Sequence, residues 1–129
     1  MLDENVQKLM KAIEELKERA RDGWVIVVEG IRDMKSLRLL GVEGEILVFS
    51  SYREIADRIR NRKVIILTDC DKKGMEIEKG LIHALSSWGN IPDIELKRKI
   101  FSLIQRRVVT VENLYKYILK HALIGDLIE

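Results

Sequence analysis

Apolar and polar positions change period several times along the chain, and each change marks an element. Val6, Leu9, Met10, Ile13, Leu16 and Ala20 recur at helical spacing with charges between them, which predicts an amphipathic helix over 3–21. Asp22-Gly23 ends it, and the unbroken apolar run Trp24–Val28 reads as a buried strand. Met34, Leu37 and Leu40 place a helix over 31–40, and Gly41 and Gly44 turn the chain into a second strand, Ile46–Phe49. A short helix runs from Tyr52 to about Arg60. Val64–Leu67 is a third aliphatic run, of the kind that fits a parallel strand covered on both faces. A helix opened by Gly74 carries the stripe Ile77, Leu81, Leu85 and stops at Trp88-Gly89-Asn90-Ile91-Pro92. Asp93 is placed to cap a helix running to about Gln105, Val108–Val111 is expected as a final short strand, and the tail from Glu112 as helix. This alternation predicts an α/β fold, doubly wound, with a mostly parallel central sheet of about four strands flanked by helices.

Composition narrows the class without naming a function. The 129 residues suit one core. Apolar residues at 47% and charged residues at 34% describe a folded, soluble chain, and every apolar run falls far short of the roughly 20 residues a membrane span needs. The acidic start, Met1-Leu2-Asp3-Glu4-Asn5, lacks a secretion pattern, and the single cysteine, Cys70, fits a reducing cytoplasm. The net charge of +2 means that any nucleic-acid surface has to come from local clusters. Two exist: Arg58, Arg60, Arg62 and Lys63, and Lys97, Arg98 and Lys99 with Arg106 and Arg107. The second is the better candidate for phosphate contact, although charge runs on helices are usually solvated faces.

The chemistry sits where two apolar runs end. The first delivers Glu29-Gly30 and then Asp33; the second delivers Asp69-Cys70-Asp71-Lys72-Lys73-Gly74. In open parallel sheets, ligands bind outside the carboxyl ends of the strands, and both signatures fall there. If strand geometry persists past Thr68, Asp69 and Asp71 point to one side and Cys70 faces the core. Clustered carboxylates repel one another unless a cation neutralises them, and hard oxygen donors suit Mg²⁺, with Mn²⁺ as the alternative. Gly30 and Gly74 allow close backbone approach at helix starts, where free N–H groups favour anions, and Lys72 and Lys73 stand beside the acids. A lone Asp-X-Asp is usually a cap or a solvated turn; its pairing with Glu29-Gly30 is what makes a metal site.

These two signatures resemble those of the Toprim family, shared by topoisomerases, bacterial-type primases, certain recombination proteins and several nucleases. The resemblance rests on Val28-Glu29-Gly30-Ile31-Arg32-Asp33 and on Thr68-Asp69-Cys70-Asp71 with Gly74. It covers about residues 23–110 as a Toprim (Rossmann-like) domain, with a helix over 1–22 packing on it and a C-terminal helix over 111–129. It implies a general acid/base role for Glu29, sometimes with metal ligation, and Mg²⁺ ligation by Asp69 and Asp71, with Asp33 supporting. The pattern resembles that of the small stand-alone Toprim proteins, including the nucleases that mature ribosomal RNA. The chain has no room for the accessory domains of topoisomerases or primases, and Tyr52, Tyr115 and Tyr117 lack any motif of a nucleophile.

A haloacid-dehalogenase-type phosphatase also uses Asp-X-Asp after a strand, but Lys72-Lys73 stand where that pattern has a small hydroxylated residue. The sequence therefore leads to a Mg²⁺-dependent, nuclease-like enzyme cleaving phosphodiesters of RNA or DNA. The alternative is a non-catalytic module that binds nucleic acid or a protein partner. In that reading the N-terminal helix offers a docking or homodimer face, although core packing is its more ordinary role.

Overall fold

The computed structural model describes residues 4–104 and 108–123. Three strands, β1 (Val25–Val28), β2 (Ile46–Val48) and β3 (Val64–Ile66), form one parallel sheet in the order β2-β1-β3. Ile26 pairs with Ile46 on one side and Ile65 on the other. The helices are α1 (Glu4–Arg21), α2 (Ile31–Leu39), α3 (Tyr52–Ile59), α4 (Lys72–Ser86), α5 (Glu95–Leu103) and α6 (Leu114–Ile118). A 3₁₀ turn (Val111–Asn113) precedes α6 and a π turn (Leu119–Leu123) follows it.

Strand periodicity divides the core into two layers. Val25 and Val27 of β1, with Leu47, Val64 and Ile66, face α3 and α4 through Ile55, Ile59, Leu81 and Leu85. Ile26 and Val28, with Ile46, Ile65 and Leu67, face the other helices through Leu9, Leu16, Leu37, Ile100 and Leu114. Both faces of the sheet are covered, which explains strands that are apolar at every position. The apolar stripe of α1 (Val6, Leu9, Ala12, Ile13, Leu16, Ala20) is buried in this second layer. That stripe is therefore core. Among the described residues no helix is long and apolar enough to cross a membrane.

Among the described residues the sheet has three strands rather than about four. Val108–Thr110 belongs to no strand, and Val111 opens the 3₁₀ turn. β3 has already ended at Ile66, so this segment makes one backbone contact with its continuation, Cys70 N–H to Val109 O at 2.6 Å. Two residues on from Val109, the Val111 N–H goes to the Asp69 carboxylate instead of a neighbouring strand. Asp93 pairs with β3 on that side, through Asp93 N–H to Val64 O and Ile66 N–H to Asp93 O.

Asp93 also caps α5, its Oδ2 accepting from Leu96 N–H at 3.1 Å, while Oδ1 faces Arg19 of α1 at 3.4 Å. Asp93→Ala is expected to cost about 1 kcal/mol, chiefly through the lost cap, read as a lowered urea midpoint at unchanged slope.

Candidate metal centre

Because β1 is central and β3 its neighbour, Glu29 and Asp69 leave adjacent strand ends at the carboxyl edge of the sheet. Asp33 joins them from the first turn of α2. Gly30 precedes that helix, and its N–H donates to Asp33 Oδ2 at 3.0 Å, holding the carboxylate over the helix start. Glu29, Asp33 and Asp69 each offer a carboxylate oxygen within 4.8 Å of the others. Asp33 and Asp69 are buried and Glu29 half-buried.

Their electrostatics are those of crowded acids. Burial pushes the Asp69 carboxyl up to about 7; the hydrogen bond with Glu29 and the charges of Glu29 and Asp71 add to this, and the Val111 N–H at 2.7 Å opposes it. Asp33 is raised by burial and by Asp69, against backbone N–H groups of Gly30 and Glu112. Glu29 Oε1 is buried with no hydrogen-bond partner among the described residues. A buried acceptor without a donor is costly, and a divalent cation relieves both this and the mutual repulsion. The all-oxygen donor set fits Mg²⁺ or Mn²⁺.

The other expected site residues are placed differently. Asp71 lies outside this trio: it is exposed, and its Oδ1 caps α4 by accepting from Gly74 N–H at 2.8 Å. Its charge still reaches Asp69. Cys70 is exposed and does not face the core, because strand alternation has ended by Ile66 and the chain is turning toward α4. Gly74 is held against the Asp69 backbone, and a side chain there would overlap the Asp69 carbonyl. Gly30 has extended backbone and an added Cβ would meet only Asp33 Oδ2, at 3.7 Å, so no close approach requires glycine there. Lys72 and Lys73 are exposed on the first turn of α4.

Lys97 cannot contact nucleic acid. Its side chain is 1% exposed, and its ammonium donates to Glu78 Oε1 and Thr68 Oγ1, both at 2.9 Å. It lies on the buried face of α5 beside Leu96, Ile100 and Phe101. Arg98 and Lys99 are exposed, pairing with Glu95 at 2.9 Å and Glu15 at 3.7 Å; Arg106 and Arg107 lie outside the described residues. Sequence reading missed Thr68, Glu78 and Lys97 as a unit, and the backbone donors Val111 and Glu112. The first had a signal: Glu78 on α4 and Lys97 on α5 each occupy an apolar-stripe position. The backbone donors had none, since any non-proline residue supplies an N–H.

A parallel sheet ending in a Glu-Gly turn and an Asp-X-Asp turn, with carboxylates converging between them, defines the Toprim class, and the Toprim domain model matches residues 24–104. The chain is 55% identical to a UPF0292 protein of Archaeoglobus fulgidus over 86% of this chain and 90% of that one. A UPF0292 protein of Methanocaldococcus jannaschii is 35% identical over 92% and 95% respectively. A solved structure of a protein from Aquifex aeolicus aligns with a TM-score of 0.68 at 29% identity, over 80% of this chain and 94% of that one. The chain therefore belongs to the Toprim family and, within it, to the UPF0292 group.

Proposed function

We propose that the chain is a Mg²⁺-dependent, nuclease-like phosphodiester hydrolase acting on RNA or DNA in the cytoplasm. The carrying observation is the convergence of carboxylate oxygens from Glu29, Asp33 and Asp69 within 4.8 Å, with Glu29 Oε1 buried and unpartnered among the described residues and the acidity of both aspartates suppressed. Asp69, Asp33 and Glu29 would hold the ion, with Asp71 nearby. When bound, it would supply positive charge against the negative charge that develops in phosphodiester cleavage. Val111 N–H orients Asp69 and Gly30 N–H orients Asp33, so both carboxylates are set before substrate arrives. The Glu29 carboxylate, whose Oε1 has no donor among the described residues, takes the proton of the attacking water or returns one to the leaving oxygen. Lys72 and Lys73, exposed one and two residues beyond Asp71, attract the backbone phosphates, and Arg98 and Lys99 extend that attraction along α5.

Cleavage is to be assayed on single-stranded, double-stranded and structured RNA and DNA, with Mg²⁺ and with EDTA. Glu29→Gln and Asp69→Asn are expected to lower the rate at least a hundredfold with the fold intact. Asp71→Asn, which keeps an oxygen for the α4 cap, is expected to lose cleavage without losing stability. Salt-sensitive binding with no turnover on any of these substrates would instead support the non-catalytic module.

A further inference from the structure

Glu78 and Lys97 form an ion pair at 2.9 Å with side chains 4% and 1% exposed. Burying two charges is costly, and an apolar pair of similar volume often serves stability as well or better. The pair also does more than join α4 to α5. The Lys97 ammonium reaches Thr68 Oγ1 at 2.9 Å, and Met75 Sδ lies 3.8 Å from it. An ammonium has no acceptor, so the Thr68 hydroxyl has to accept from Lys97 and send its own proton elsewhere. It donates to Gly74 O at 2.8 Å. Gly74 in turn donates its N–H to Asp71 and lies against the Asp69 backbone. A continuous chain of hydrogen bonds thus runs from Glu78 through Lys97, Thr68 and Gly74 to Asp71, with Asp69 clasped between Thr68 and Gly74.

We propose that Lys97 is a positioning residue for the metal-binding carboxylates: by fixing the direction of the Thr68 hydroxyl it locks the turn that presents Asp69 and Asp71. None of Glu78, Lys97 and Thr68 belongs to the carboxylate trio; they act from behind the turn. This rests on the metal-binding reading above, and its test separates the two.

The test uses the full chain, with Mn²⁺ affinity measured by electron paramagnetic resonance and Gly74 amide exchange measured by NMR in EDTA. The double variant Lys97→Met/Glu78→Met removes both charges together, leaving neither stranded. Thr68→Val removes the hydroxyl at constant shape, and Thr68→Ser keeps it. Mn²⁺ binding is expected to weaken about tenfold or more in the double variant and in Thr68→Val, and to stay near wild type in Thr68→Ser. Gly74 exchange is expected to quicken at least tenfold in the first two while the Val27 amide in β1 stays protected. Wild-type Mn²⁺ affinity and unchanged Gly74 exchange in a folded double variant or in Thr68→Val would overturn the positioning role. If the wild type binds no Mn²⁺, the metal reading fails on its own. The exchange arm then decides the lock: quickened Gly74 exchange sustains it and unchanged exchange overturns it.

Discussion

Gly74→Ala is expected to lose stability and metal binding together. The Cβ would overlap the carbonyl oxygen and carbon of Asp69, and both sides of the clash are backbone. No side-chain rotation relieves it. The chain has to open the turn between Asp69 and α4, and opening it breaks Thr68 Oγ1 to Gly74 O and Gly74 N–H to Asp71 Oδ1. Overpacking at a site that can yield costs 1–3 kcal/mol; here a loss of about 3 kcal/mol or more is expected, roughly a 10 °C fall in Tm. Divalent-ion binding should become undetectable by calorimetry in whatever fraction stays folded. Gly30→Ala is the control. Its backbone is extended and the new Cβ would make only an ordinary contact, so Tm should move by less than about 2 °C. An equal loss from both substitutions would show that the backbone overlap at Gly74 is not what sets the two glycines apart.

The second large effect is electrostatic. An aspartate of ordinary acidity titrates near 3.8, whereas burial and then Glu29 and Asp71 push Asp69 up to about 7. The folded protein thus holds this proton more tightly than the unfolded chain. The stabilisation is full below about pH 4 and is lost as the pH climbs to about 7, with Asp33 shifted in the same direction. Each unit of displacement corresponds to about 1.4 kcal/mol. Asp69→Asn keeps an acceptor for Val111 N–H but carries no charge, so it removes most of the slope. In EDTA at pH 8 the variant should be more stable than wild type by a few kcal/mol, and at pH 4 the two should converge. Mg²⁺ should raise the urea midpoint of the wild type at pH 8 and leave that of the variant unchanged. Stability of the metal-free wild type that rises between pH 4 and pH 7 would contradict the cluster.

Most of this architecture was legible in the chain. Strands buried on both faces leave uninterrupted apolar runs, so β1, β2 and β3 stood out, and with them the carboxyl edge carrying Glu29 and Asp69. Departures occurred where one local pattern serves two outcomes. Val108–Val111 has the residues of a strand, but whether it pairs depends on the length of β3 and on Val111 finding a carboxylate. The spacing of Asp69 and Asp71 suggests a shared side only while the chain remains a strand; once it turns, one aspartate is buried and the other caps a helix. Lys97 sits in a run of surface-type charges, and helical phase alone puts it inside. Asp33 gained importance for a related reason: the first turn of α2 aims it back at the strand ends.

The strand order carries a kinetic consequence. β1 meets β3 only after α2, β2 and α3 have been laid down between them, so Glu29 and Asp69 come together through one of the longest-range pairings in the sheet. Such pairings form slowly compared with helices, because chain entropy is lost before contacts repay it. During refolding, helical signal should therefore return ahead of the capacity to take up a divalent ion. The lag between the two would time the docking of β3 onto β1.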